Sequence, residues 1–326
     1  MSHQHDHRGD TGVLVSGVGG ASGYSVAEYA TRYFKHVFWS DADAQAPGLL
    51  TNRSHALVVP IATAPGYLDF LITACIRRGV TVVSPNVDVE VAVLAQNQDR
   101  LTTAGLRVWL STAEVVEKCR DKWAFWQWGQ GWSAASFPAT WDNIAAIPPE
   151  VIRRGVIAKP RVGSGSSGVR MATSADALEQ ANEALCDPIF QEAISGNEFS
   201  ADCLSWRNGP ILVHLRRRVS AKAGMSTVTE TFTDTVLTER VQGLLSALGY
   251  EGPSCVQGFI LDNGEHLFTE VNARFGGGCA LAEHSGGRLL SRYFDYLSTG
   301  SMIGGKFEYE AGYILVRPYK TVCMRR

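Results

Sequence analysis

The chain of 326 residues lacks any apolar run near the ~20 residues that cross a bilayer; the longest candidate, residues 56–64, is interrupted by Pro60. It also lacks an excess of either charge. Lys plus Arg is 30 against 32 for Asp plus Glu, a net charge of −2. That excludes a basic nucleic-acid footprint and an acidic tail. Charged residues are scarce altogether, at 19 % against the usual ~25 %. The seven cysteines, residues 75, 119, 186, 203, 255, 279 and 323, are odd in number and contain no C-x-x-C pair. This argues against a zinc site and a disulfide framework. Most have apolar sequence neighbours, as buried thiols do, and a reducing, cytoplasmic setting is expected. The first ten residues carry His3, His5 and His7 but no apolar signal-peptide core; a disordered tail is expected there. No internal repeat is visible, and no Ser/His/Asp or Cys/His signature marks a side-chain nucleophile.

Glycine, by contrast, is abundant: 33 residues, about one in ten against a typical ~7 %. In residues 11–110 short apolar runs (13–16, 37–39, 56–59, 80–83) alternate with helical patterns (24–33, 68–78), which predicts a parallel α/β unit. Residues 112–131 read as one aromatic-rich helix containing Trp123, Trp126 and Trp128, whose rings suit packing better than a ligand cage. Further on, 156–158 and 189–191 read as strands. Residues 174–185 read as a helix capped by Ser174, and 234–248 as a helix closed by Gly249. Two antiparallel pairs are expected, 198–206 with 211–219 across Asn208-Gly209 and 254–261 with 266–271 across Asp262-Asn263-Gly264. A helix over 288–297 and a strand over 313–317 complete the pattern.

The glycines cluster in three places. Gly17, Gly19, Gly20 and Gly23 follow the first strand, but the frame is not G-x-G-x-x-G, because Ser22 stands where the third glycine belongs. A ligand-binding turn at a helix start fits this cluster better than an NAD fingerprint does. The second cluster is Lys159-Pro160-Arg161-Val162-Gly163-Ser164-Gly165-Ser166-Ser167-Gly168. Glycine and serine let backbone N–H groups close around phosphate oxygens, and Lys159 adds a point charge. No Gly-Lys-Ser/Thr closes it, so it is not a P-loop. The third is Glu270-Val271-Asn272-Ala273-Arg274-Phe275-Gly276-Gly277-Gly278. On a continuing strand, Glu270, Asn272 and Arg274 share one face. A carboxylate beside an amide oxygen suits Mg²⁺ held together with phosphates, and Gln257 on the preceding strand can add an oxygen. Arg274 can neutralise a phosphoryl or acyl oxygen in transit.

Taken in order, Val156-Ile157-Ala158-Lys159-Pro160 with its loop, Gln191-Glu192-Ala193-Ile194, Gly196-Asn197-Glu198-Phe199-Ser200-Ala201-Asp202 and Glu270-Val271-Asn272-Ala273-Arg274 resemble the ATP-grasp superfamily. The resemblance is to its carbamoyl-phosphate-synthase-like branch, which includes stand-alone amino-acid ligases, and spans residues 13–317. It implies an α/β chain with a tail (1–10), a Rossmann-like preATP-grasp domain (11–110), and an ATP-grasp small lobe with a glycine-rich lid (111–195). A large lobe with the metal site (196–326) follows. It implies ATP phosphate contacts for Lys122, after Asp121, and for Lys159, a lid over Gly163, Ser164, Gly165, Ser166, Ser167 and Gly168, and an adenine hinge at Gln191, Glu192, Ala193 and Ile194. Glu198 would hold the ribose. Gln257, Glu270 and Asn272 would hold magnesium, or manganese in its place, and Arg274 would face the transferred phosphate. Many relatives carry an acid where Gln257 stands.

The implied reaction is ATP-dependent coupling of a small carboxylic or amino acid to an amine through an acyl phosphate, with ADP and phosphate released. The alternatives are a subunit that makes an acyl or carbamoyl phosphate for a larger system, a nucleotide-binding regulator without turnover, and an NAD-dependent oxidoreductase built on the first glycine turn. For the substrates the candidates are His214, Arg216, Glu230, Gly277 and Arg274, with Arg288 and Arg292 better explained as surface charges. The expected partners are small carboxylates and amines, not nucleic acid or membrane; a homodimer stays open.

Overall fold

A computed structural model describes residues 11–163, 165, 167–222, 225–302 and 305–317. The expected tail, Ser164, Ser166 and Cys323 lie outside the described residues. The chain runs β1 (Gly12–Ser16), α1 (Ala21–Ala30), β2 (His36–Asp41), α2 (Pro47–Thr51), β3 (Ala56–Val58), α3 (Tyr67–Arg77), β4 (Val80–Ser84), α4 (Asp88–Gln96) and α5 (Gln98–Thr103). It continues through α6 (Ala113–Arg120), α7 (Lys122–Ser133), β5 (Thr140–Trp141), α8 (Pro149–Arg154), β6 (Val156–Pro160), β7 (Arg170–Ala172), α9 (Ala175–Ala184) and β8 (Pro188–Glu192). It ends with β9 (Asn197–Ser205), β10 (Ile211–Lys222), β11 (Met225–Thr231), α10 (Thr235–Leu248), β12 (Gly252–Ile260), β13 (His266–Asn272), α11 (Ala280–His284), α12 (Leu289–Thr299) and β14 (Ile314–Val316).

Three sheets organise these elements. The first is parallel, in the order β3-β2-β1-β4. Its central strand β1 is buried along its whole length, which is why it reads as an unbroken apolar run. The second, β5-β8-β6-β7, is antiparallel. The third, β13-β12-β9-β10-β11-β14, is a six-stranded antiparallel sheet. The mixed α/β architecture and the parallel N-terminal sheet agree with the sequence.

Two hydrophobic cores run from the parallel sheet into the six-stranded one. One joins Leu14 and Leu71 to Phe199, Leu244 and Phe268; the other joins Val13 and Val26 to Leu204, Phe275 and Tyr293. The small sheet keeps a separate core around Val156, Ala158, Leu178 and Phe190. Local signals held where expected: Ser174 accepts from the Ala177 N–H, and Gly249 closes α10 in the left-handed region.

Two expectations are corrected. The predicted helix over 112–131 is two helices, because Asp121 is extended and caps α7 by accepting from the Trp123 and Ala124 N–H groups. Glu230, named as a substrate candidate, lies with Thr229 and Thr231 on β11, a strand that the sequence pattern did not mark. The tryptophans pack as expected, with Trp123 stacked on Trp126 and Trp128 on Trp132. Among the described cysteines all are free; Cys186 is exposed and the others are buried.

Candidate active site

Between the small sheet and the large one lies a cavity of about 350 Å³, lined by Lys122, Lys159, Gly163, Gly165, Ser167, Gln191–Ile194, Glu198 and Glu270. Lys159 is buried on β6. Its Nζ donates to Gln191 Oε1 at 3.0 Å, and Gln191 Nε2 donates in turn to Thr140 Oγ1 at 3.0 Å. This chain of bonds fixes the ammonium across three strands. Burial pushes the Lys159 pKa down to about 8, against the charge of Glu270 and with that of Lys122. Lys122 opens α7, and its Nζ donates to the Gly163 carbonyl at 2.8 Å. The stem of the glycine loop is tied to the same helix start, since Arg161 Nε donates to Asp121 Oδ1 at 2.7 Å. Glu192 points away from the cavity's interior: its Oε1 accepts from the Ala139 N–H at 2.8 Å. With that carboxylate occupied, and the Gln191 side chain bonded to Lys159 and Thr140, the segment Gln191–Ile194 has its backbone groups left for a ligand. Glu198 pairs with Arg218 at 3.1 Å. Burial and nearby Glu270 raise its pKa, while Arg218 pulls the other way.

A second cleft, of about 460 Å³, adjoins the first and shares Glu198, Arg218 and Glu270 with it. At that shared edge Asn272 Nδ2 donates to both Gln257 Oε1 (3.2 Å) and Glu270 Oε1 (3.1 Å). The strand register puts Gln257 opposite Glu270. Three polar side chains thus converge, and turning the Asn272 amide over makes all three oxygen donors. One carboxylate and two amides form a hard but weakly charged set. It fits a magnesium ion that takes its remaining ligands from phosphates and water. No group of three or more His, Cys, Asp or Glu side chains suited to a metal occurs among the described residues.

The cleft's far wall is the first glycine cluster. A side chain at Gly23 would place its Cβ 2.3 Å from the Gly17 carbonyl oxygen, so α1 can leave β1 this tightly only through glycine. Its other wall carries Arg216, Arg274 and the third glycine cluster. Arg216 is buried against Asp202 at 2.7 Å, and Asp202 also accepts from the Gly276 N–H. A Cβ at Gly276 would lie 2.4 Å from Arg216 Nη2, which explains that glycine. Burial opposes the Arg216 charge and the Asp202 carboxylate outweighs it, so its pKa is raised. β13 ends at Asn272, and Arg274 lies beyond it. Its Nη2 donates to Asp88 Oδ2 at 2.8 Å, from the first turn of α4, with side-chain exposures of 16 % and 22 %.

The structure therefore brings Lys122, Lys159, Gly163, Gly165, Ser167, Gly168, Gln191, Glu192, Ala193, Ile194 and Glu198 around or beside one cavity. Gln257, Glu270, Asn272, Arg274, Arg216 and Gly277 meet in the other. Two substrate candidates do not belong to it. His214 is fully buried, its Nε2 bonded to Ser285 Oγ at 2.8 Å and its ring against Tyr309. Burial lowers its pKa to about 4, so it is neutral core. Glu230 pairs with Arg217 at 3.0 Å on the opposite face of the sheet, since alternation sends it away from Thr229 and Thr231. The sequence reading did not single out Asp41, Asn86, Asp88 or Arg317 as site residues, yet all line the cleft. It also missed Glu90, a buried carboxyl beneath the glycine turn that accepts from Ser16 and Tyr67; the acid spacing of Asp88 and Glu90 at the start of an apolar helix was the available signal.

Residues 119–278 match the model of the ATP-grasp domain, and residues 13–109 that of the PylC-like N-terminal domain. No curated protein shows a significant sequence match. Among solved structures, the L-amino acid ligase from Bacillus licheniformis is 17 % identical with a TM-score of 0.70, over 89 % of this chain and 74 % of that one. N5-carboxyaminoimidazole synthetase from Staphylococcus aureus, complexed with ADP, is 13 % identical with a TM-score of 0.71, over 93 % and 80 %. The biotin carboxylase domain of the Hydrogenobacter thermophilus 2-oxoglutarate carboxylase, in complex with MgADP, ADP and bicarbonate, is 16 % identical with a TM-score of 0.70, over 93 % and 73 %. With the two domain models in this order and the fold shared with these enzymes, the chain belongs to the ATP-grasp superfamily.

Proposed function

We propose that the chain is an ATP-dependent carboxylate–amine ligase. The observation that carries this reading is the meeting of two cavities at Glu270: one has the lysines and glycine loop suited to a triphosphate, and the other is an arginine-lined cleft of small-substrate size. In this reading Lys122, Lys159 and the loop from Gly163 to Gly168 hold the ATP phosphates. The backbone of Gln191–Ile194 meets adenine and Glu198 meets the ribose. Gln257, Glu270 and Asn272 would hold magnesium, whose chemistry is to offset charge on the phosphates.

A carboxylate oxygen of the substrate attacks the γ-phosphorus, a P–O bond forms, and the bond to the β-phosphate breaks with ADP leaving. The amine lone pair then attacks the acyl carbon. A C–N bond forms, the C–O bond to phosphate breaks, and the amine proton passes to solvent. Arg274, held by Asp88, faces the oxygen in transit. Positioning and charge supply the catalysis, so no nucleophilic side chain is needed. Closure of the glycine loop keeps water from the acyl phosphate.

The test is ADP release from MgATP with pooled carboxylic and amino acids, followed by a search for a condensed mass. ADP with phosphate carrying ¹⁸O from a labelled carboxylate is expected. AMP release, or phosphate without label, overturns the acyl-phosphate route.

A further inference from the structure

A buried acid that the ligase reading leaves unused is Glu90, in the first turn of α4. Its two carboxyl oxygens accept from Ser16 Oγ at the end of β1 and from the Tyr67 hydroxyl on α3. Among the described residues no cation pairs with it, and the charge that acts on it, Asp41, is negative. Burial raises its pKa, the two hydroxyls oppose the rise and Asp41 adds to it, so the neutral carboxyl is favoured. Apolar side chains at all three places would fill the same space without the cost of burying a carboxyl. The acid therefore calls for a reason beyond filling the core.

From Glu90 two routes lead to Arg274. The first passes along the glycine turn. Ser16 Oγ accepts from the Asn86 N–H at 3.1 Å. Asn86 Nδ2 donates to the Ser84 carbonyl at 3.0 Å, which leaves Oδ1 facing Ser22. The Ser22 hydroxyl lies 3.2 Å from that oxygen and 2.8 Å from the Phe275 carbonyl, to which it donates. The same carbonyl accepts from Arg274 Nη1 at 3.2 Å. The second route is α4 itself. This helix starts after Val87 with no side-chain cap, so the bonds of Glu90 to β1 and α3 tie its first turn down. That turn carries Asp88, the acceptor of Arg274 Nη2 at 2.8 Å. Ser16, Ser22, Asn86 and Glu90 are all buried, so a bond lost along the first route is not made up by bulk water.

We infer that Glu90 is a positioning residue for Arg274. It holds both acceptors of that guanidinium, the Phe275 carbonyl through Ser16, Asn86 and Ser22, and the Asp88 carboxylate through the first turn of α4. Glu90 lines neither cavity itself. Its effect on turnover rests on the ligase reading; its effect on Arg274 rests on the hydrogen bonds alone. Tyr67 supplies the control, because Tyr67→Phe leaves the first route whole and Glu90 still bonded to Ser16.

The full chain and its variants are compared in denaturant unfolding, in ADP binding and in ADP release from MgATP with pooled carboxylic and amino acids. The ¹⁵N–¹H signal of the Arg274 guanidinium, assigned by its loss in Arg274→Lys, is followed alongside. Ser16→Ala and Tyr67→Phe each remove one hydroxyl from Glu90, and both lower stability. Ser16→Ala is expected to lower kcat about tenfold or more, to leave the KM for ATP and the ADP affinity unchanged, and to move the Arg274 signal. Tyr67→Phe is expected to leave kcat and the signal close to those of the unaltered protein. Glu90→Gln, with the same shape and two hydrogen-bonding atoms, should keep both, and Glu90→Ala should lose both. Equal effects of Ser16→Ala and Tyr67→Phe on kcat overturn the inference, as does a Glu90→Gln variant as impaired as Glu90→Ala. Should Glu90→Ala fail to fold, the comparison of Ser16→Ala with Tyr67→Phe decides. If ADP binds but no pool releases ADP, the ligase reading falls alone; an Arg274 signal unmoved by Ser16→Ala overturns the inference by itself.

Discussion

Arg216 and Asp202 lie at 2.7 Å with side-chain exposures of 5 % and 0 %, and such a pair is judged by what happens when half of it goes. Removing one partner leaves a buried charge and costs ~3–5 kcal/mol. Arg216→Ala should therefore lower the unfolding free energy in denaturant by about that much; a loss well under about 1 kcal/mol, the range of exposed pairs, would show that water reaches Asp202. Lys159 gives a second expectation at this scale. With its pKa lowered to about 8 by burial, it is charged below that pH and neutral above. ATP affinity measured by titration should weaken as pH rises through about 8, and Lys159→Met should bind weakly at every pH. The sign for stability is the reverse. Without ligand the folded state releases this proton more readily than the unfolded chain, whose lysine titrates near ~10.4, so this residue's contribution to stability grows with pH between those values.

At the scale of elements, Asp121 does two jobs at one helix start. It caps α7 through the Trp123 and Ala124 N–H groups and holds Arg161 at the stem of the glycine loop. Burial pushes its carboxyl up, but the Arg161 bond and those two amides outweigh this and hold it below the usual value. Its contribution is present above the ordinary aspartate range and lost as pH falls through the lowered value. Asp121→Ala should cost about 1–2 kcal/mol in thermal or chemical unfolding, and Asp121→Asn distinctly less, because asparagine still caps. The same residue shows where sequence reading stops. Aromatic and apolar residues repeat at helical spacing straight through position 121, and only the cap geometry breaks the helix. Strands bounded by turn residues, such as β9 and β10 around Asn208-Gly209, were legible because the turn chemistry is local. β11 was not, because its polar alternation resembles a loop until β10 and β14 are beside it. Lys159, Glu198, Glu270 and Asn272 were legible through their loops and spacing. Asp41 and Arg317 were not, since their place in the cleft wall depends on how separate elements pack.

On the scale of the whole molecule, the parallel sheet and the six-stranded sheet share cores, whereas the small sheet keeps its own. The N-terminal unit therefore meets the cleft through packing and through direct bonds, among them that of Asp88 on α4 to Arg274 at 2.8 Å and that of Ser22 Oγ to the Phe275 carbonyl at 2.8 Å. Asp88→Asn keeps the shape and removes the opposing charge. It should lower the unfolding free energy by less than Arg216→Ala does, since this pair is only partly buried, and lower kcat for ADP release by about tenfold or more, the effect of losing a charge-assisted bond. An unchanged kcat would mean that Arg274 is held well enough by the Phe275 carbonyl it also contacts.

Glu270, Glu198 and Arg218 stand in the walls of both cavities, so in the ligase reading a nucleotide in one and an acid in the other lie against the same three side chains. A single compound with adenosine at one end, a phosphate mimic in the middle and an acid at the other would then reach past Glu270 into both. Tethering makes the second contact intramolecular, at an effective concentration of about millimolar for a short linker, and can raise affinity by ~10²-fold or more over either half. Such a compound should displace bound ADP and also block access by the acid, and competition titrations against each half would reveal both effects.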